Sequence, residues 1–120
     1  MRYRQTLGAR GEQLAAAFRE QAGFQILEQN HGSPLGELDL VAREAAEIVF
    51  VEVKTRVGGP ESAPDEAISQ IKLDRISRLA ELYLASRGLS ESAWRVDVVA
   101  VVLDSRGRAQ RIDHLRGAFL

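Results

Sequence analysis

Cysteine is absent from these 120 residues. That excludes a disulfide framework, thiol catalysis and zinc–thiolate centres, and it suits a reducing cytoplasm. Histidine is scarce. His31 and His114 are far apart and neither has a second histidine at ligand spacing, so both read as surface or loop residues and no zinc site is expected. Of 16 cationic side chains, only Lys54 and Lys72 are lysine. No apolar run is long enough to span a bilayer. The basic start Met1-Arg2-Tyr3-Arg4-Gln5 has no apolar segment behind it. Neither a membrane span nor a signal peptide is therefore expected, and the chain is placed in the cytoplasm. The net charge of -1 lacks the basic excess that phosphate contacts usually bring.

The length suits one domain over residues 1–120, with room for a real core. A first helix is expected from Thr6, a possible N-cap, to Ala22, with Gly23 as its stop and Leu7, Leu14, Phe18 and the alanines as its apolar stripe. A strand follows over Phe24–Glu28, then an irregular loop, Asn30-His31-Gly32-Ser33-Pro34. Two alternating runs come next, Gly36–Ala42 and Val49–Lys54, separated by a short polar reversal. Pro64 suits the first turn of a second helix reaching Ser86, with Ile68, Ile71, Ile76, Leu79, Tyr83 and Leu84 on its apolar side and Gly88 as its stop. Trp94–Leu103 is the most apolar strand and is expected at the sheet centre. A turn at Ser105–Arg108 leads to a last strand, Ala109–Leu115. The order αβββαββ describes an α/β fold, a mixed sheet flanked by helices.

The two alternating runs hold the chemistry. A hairpin centred on Ala45-Ala46 sets Asp39 opposite Glu52 and Glu37 opposite Lys54, all on one face. Directly opposed carboxylates are about 5 Å apart at Cβ and repel, unless a cation lies between them. Asp39 and Glu52 are thus candidate ligands for a divalent metal, with Lys54 placed to steady a water or the charge on phosphoryl oxygens. The alternative is a solvated sheet face with a Glu37–Lys54 ion pair. Glu12 lies among small helix neighbours and either joins the cluster or is an ordinary surface glutamate. Arg95 and Asp97 are charged residues inside an apolar strand, forming either a structural ion pair or an extension of the active face. Gln70 and Lys72 stand near the start of the second helix, where phosphate is attracted, or on a solvated edge.

The segments Gly11-Glu12, Gly23–Leu27 with Asn30, Gly36-Glu37-Leu38-Asp39-Leu40, Phe50–Arg56, Lys72, Arg95–Val98 and His114–Phe119 closely resemble the YraN-like family of small bacterial proteins. That family is similar to the PD-(D/E)xK nuclease superfamily and to archaeal Holliday junction resolvases. Leu38 stands where the superfamily has its proline. The resemblance implies a restriction-endonuclease-like core and a magnesium- or manganese-dependent nuclease site. It implies DNA as substrate, with Asp39, Glu52 and Lys54 as the catalytic motif and Glu12 as the helix glutamate. Arg56, Lys72 and Arg95 are then expected to contact nucleic acid, with Glu37, Gln70 and Asp97 as accessory residues.

The expected function is a metal-dependent DNA endonuclease acting on branched or processed DNA. Two other classes stay open: a nucleic-acid-binding or scaffold protein that keeps the nuclease fold without cutting, and a small interaction domain with an ion-paired sheet face. Cutting both strands of a duplex takes two sites or one that acts twice, so a symmetric homodimer is expected on DNA.

Overall fold

A computed structural model describes residues 3–59 and 68–117. It places α1 over Tyr3–Gln21, β1 over Gln25–Ser33, β2 over Gly36–Glu44, β3 over Glu47–Val57, α2 over Gln70–Ser86, β4 over Trp94–Leu103 and β5 over Ala109–Leu115. The fold is α/β with the order αβββαββ, consistent with a restriction-endonuclease-like core. The five strands lie in the order in which they occur. All neighbours are antiparallel except β3 and β4, whose parallel pairing uses α2 as the crossover. The middle strand is therefore β3. The more apolar β4 lies beside it, buried continuously from Val96 to Leu103.

Each face of the sheet carries one helix. Ile48, Phe50 and Val96 pack with Leu73, Ile76, Leu79 and Tyr83 of α2. Val49, Val51, Val99 and Val101 pack with Ala15 and Ala16 of α1. The alternation along β3 thus serves both helices, as period two requires. Leu14 and the two alanines form the inner side of α1, while the side chain of Leu7 lies outside the described residues.

Four features depart from the sequence expectation. First, α1 already includes Tyr3, so Thr6 lies within it instead of capping it. Second, β1 continues through the segment expected to be a loop. Its end pairs with β2 as His31↔Leu38, Gly32↔Glu37 and Ser33↔Gly36. Pro34 and Leu35 form the connecting turn, closed by Ser33 Oγ, which accepts from the Leu35 amide at 3.2 Å. Third, Ile68 and Ser69 are not helical. Ser69 is the N-cap of α2, its hydroxyl accepting from the Lys72 amide at 3.1 Å, and Pro64 lies outside the described residues. Fourth, Ile71 is 84% exposed and not on the apolar side. Once Leu73 faces the core, a residue two positions earlier lies roughly 200° around the helix.

Candidate metal centre

The register read from the sequence is present from Glu44↔Glu47 through Arg43↔Ile48, Ala42↔Val49 and Val41↔Phe50 to Leu40↔Val51, but the expected pairs Asp39–Glu52 and Glu37–Lys54 are not part of the ladder. The β2–β3 ladder then ends. Beyond Leu40 and Val51, β2 pairs only with β1 and β3 only with β4. The two strands fork, and backbone groups facing the fork need other partners. The Val53 amide finds one in Asp39 Oδ2 at 2.9 Å. Leu38 packs toward α2 whereas Leu40 packs toward α1, so the alternation of β2 breaks at Asp39.

Two further carboxylates reach the fork. One oxygen from each of Glu12, Glu37 and Asp39 can be chosen so that all lie within 4.8 Å of one another. Glu12 arrives on α1 because Gly11 has no side chain. A Cβ there would overlap Thr55 of β3, so the glycine is what lets the helix lie against the strand. Asn30 holds the group from the side. With its amide nitrogen toward the carboxylates it donates to Glu12 Oε1 at 2.6 Å and to Glu37 Oε1 at 3.2 Å. Its backbone is left-handed, φ 53°, a conformation asparagine accepts more readily than most residues. Gln29 pairs with Leu40 and His31 with Leu38, which leaves Asn30 opposite Asp39.

Negative charge here is poorly compensated. Burial, then the charge of Glu52, then that of Glu12, push Asp39 up to about 8. Burial and the charge of Glu37 also raise Glu12. The charge of Glu52 also contributes to the rise of Glu12, so the carboxylates act on one another. Glu52 is buried and forms an ion pair with Lys72 from the first turn of α2. The fork therefore receives Glu12 from one helix and Lys72 from the other.

The remaining expected residues are placed as follows. Lys54 is half-buried on β3, two residues after Glu52 and so on the same side of that strand. Arg56 is exposed near the end of β3. Gln70 turns along its own helix and donates to Asp74 at 2.7 Å. Arg95 and Asp97 form the structural ion pair, away from the fork. Arg95 donates to Asp97 at 2.9 Å, to Glu47 at 2.6 Å and to Glu44 at 2.8 Å, at the hairpin end of the sheet. Asp97 is fully buried and also accepts the Gly117 amide at 2.9 Å. His114 is a correction to the sequence reading, because it is not a surface residue. Its side chain is 8% exposed, with Nε2 2.7 Å from Asp97 and Nδ1 2.6 Å from Arg19. Burial would raise Asp97, but the His114 hydrogen bond, Arg95 and the Gly117 amide hold it at about 2.

The sequence reading assigned no role to Asn30 and no partner to Lys72. A polar residue tolerant of the left-handed region is the signal Asn30 carries, and within Asn-His-Gly-Ser-Pro it is indistinguishable from a turn signal.

The donor set suits a hard divalent cation. It consists of carboxylate oxygens, which magnesium and manganese prefer, and it contains no thiolate or imidazole. Carboxylate oxygens this close repel one another unless a proton or cation separates them.

A family model described as "Uncharacterised protein family UPF0102" matches residues 11–101. The match thus runs from the glycine that admits α1 and includes Asn30, all four carboxylates and Lys72. The chain is 45% identical over 116 residues to a UPF0102 protein of Moorella thermoacetica, covering 97% of both. It is 45% identical over 117 residues to one of Beutenbergia cavernae, covering 98% of both. To one of Nocardia farcinica it is 46% identical over 116 residues, covering 97% of this chain and 91% of the relative.

Proposed function

The chain belongs to the UPF0102 family, and we propose that it is a divalent-metal-dependent DNA endonuclease whose active centre is the fork between β2 and β3. One observation carries this reading. Glu12, Glu37 and Asp39 converge from two elements, with Glu52 close enough on a third to act on Asp39, which burial and these like charges together raise to about 8. Evolution has no structural use for such crowding, because apolar packing or ion pairing would be more stable.

Asp39 would hold the metal with Glu12 and Glu37, and Glu52 completes the acidic set from β3. Bound magnesium or manganese supplies Lewis acidity toward a phosphodiester oxygen and activates a water. The protein positions everything else. Asn30 keeps Glu12 and Glu37 together through its two donated hydrogen bonds. Asp39 is fixed by the Val53 amide and would bind the cation as a carboxylate, any proton it carries being released. Lys54, on the Glu52 side of β3, meets the charge that develops on the phosphoryl oxygens. Lys72 balances Glu52 and brings a cation to the mouth of the site.

A second reading, nucleic-acid binding without cleavage, draws on the Lys72–Glu52 ion pair, which occupies one of the two motif carboxylates. The test is cleavage of duplex, single-stranded, flap and four-way-junction DNA with manganese. Wild type should cut at least one form, and Asp39→Asn, Glu52→Gln and Lys54→Ala should lose at least about a hundred-fold in rate. If wild type cuts none of them, the binding reading replaces the nuclease.

A further inference from the structure

Next to the fork, α2 and the β1–β2 turn enclose a groove of about 370 Å³ lined by Leu35, Ile71, Asp74, Arg75 and Arg78. Two features of it bear on what it could hold. The first is its arginines. Arg87, Arg95, Arg108, Arg111 and Arg116 all form ion pairs with carboxylates. Arg75 and Arg78 have none among the described residues, and the single groove carboxylate, Asp74, accepts from Gln70. The second is its apolar surface. Ile71 is 84% exposed and Leu35 58%, from two elements that meet at the same groove. Ile71, Arg75 and Arg78 repeat at helical spacing, so one face of α2 presents them in a row.

The position is as informative as the chemistry. Leu35 lies two residues before Glu37, a distance of about 7 Å along a strand. Ile71 precedes Lys72, which reaches Glu52. Arg75 passes over the start of β2, with its Cδ 3.9 Å from where a Cβ on Gly36 would stand. Whatever fills the groove adjoins the carboxylates. Unpaired guanidinium groups call for an anionic occupant. Exposed aliphatic side chains beside them call for flat apolar surface. A DNA duplex shows phosphates but keeps its base faces stacked, whereas a single strand shows both.

We propose that this groove holds a single-stranded segment of DNA, with Arg75 and Arg78 on its phosphates and Leu35 and Ile71 against its unstacked bases. The inference rests on the nuclease reading of the fork and names the form of DNA delivered to it.

The test measures binding by fluorescence anisotropy, in calcium, for a blunt duplex and the same duplex with a single-stranded tail. Calcium takes the same oxygen ligands, and intact DNA is verified afterwards. Wild type should bind the tailed form about ten-fold more tightly. Leu35→Ser with Ile71→Ser should bring the ratio close to one. Arg75→Ala with Arg78→Ala should weaken tail binding and lower its salt slope by about 1.4. Leu115→Ser, an exposed apolar residue on β5, should behave as wild type. Equal binding of both forms by wild type would overturn the inference, as would a preference that survives the Leu35 and Ile71 changes. A wild-type dimer that these changes split, with the binding ratio unaltered, would assign the face to a second copy of the chain and also overturn it. Manganese-dependent cleavage with no tail preference would remove the groove and leave the nuclease standing. Groove-dependent tail binding with no cleavage of any form would do the reverse.

Discussion

Asn30 is bound to Glu12 by a 2.6 Å hydrogen bond that joins an edge strand to a helix. The same amide reaches Glu37 at 3.2 Å, so one neutral donor restrains two anions that would otherwise separate. Under the proposed metal reading this makes Asn30 a positioning residue. Asn30→Gly keeps the left-handed backbone and removes the amide, so it isolates the side chain's part. Manganese affinity, measured calorimetrically, should fall about ten-fold. Unchanged affinity would show that Glu12 and Glu37 keep their places unaided.

Metal binding should strengthen with pH. Asp39 is raised from 3.8 to about 8, so the folded protein holds this proton more firmly than the unfolded chain does. The corresponding contribution to stability is fully present below 3.8 and is lost as pH rises through about 8. A cation must displace the same proton. Manganese affinity should therefore climb roughly ten-fold per pH unit from pH 6 and level off near pH 8. Calorimetry in buffers of different ionisation enthalpy should show about one proton released per metal. A flat profile over that range would contradict the raised Asp39.

Gly11→Ala should separate α1 from β3, since the added methyl overlaps Thr55. The stability cost should be about 1–3 kcal/mol in urea unfolding, with weaker manganese binding because Glu12 moves with the helix. Thr55→Gly in the same chain removes the obstructing side chain and should restore most of the metal affinity. Additive losses in that double variant would mean that the contact does not set the position of Glu12.

The second charged cluster should govern acid stability and not catalysis. Asp97, lowered from 3.8 to about 2, contributes stability that is present above 3.8 and lost as pH falls through about 2. That contribution is about 2 kcal/mol. Asp97→Asn should cost about 3 kcal/mol at neutral pH, because it leaves half-buried Arg95 and the His114 side chain without their common charged partner. The variant should then lose less than wild type between pH 4 and pH 2. Manganese affinity should be unaffected by the change.

How much of this could be read from the sequence depended on how local the determinants were. The β2–β3 register was legible, since two alternating runs flank a reversal too short to slip. The limits of β4 and β5 were equally clear. The end of β1 was hidden because Asn30, Gly32, Ser33 and Pro34 are all turn residues. Pairing with β2 outweighs their weak strand preference. The start of α2 was misplaced because Pro64 and Ser69 both suit a helix start, and only the structure shows Ser69 capping it. Of the site, the carboxylates were visible as a strand pattern, whereas their partners were not. Nothing in a linear chain links His114 to Arg19, 95 positions away. Nor does it show Lys72 crossing from a helix to Glu52.

Whether the β2–β3 fork holds a divalent cation can be seen by anomalous scattering from crystals soaked in manganese. A peak should lie at bonding distance from Asp39, with Glu12 and Glu37 among its ligands, and should be missing in Asp39→Asn crystals. A fork without manganese at concentrations that saturate the protein in solution, or a peak bonded to other residues, would contradict a metal centre at the fork.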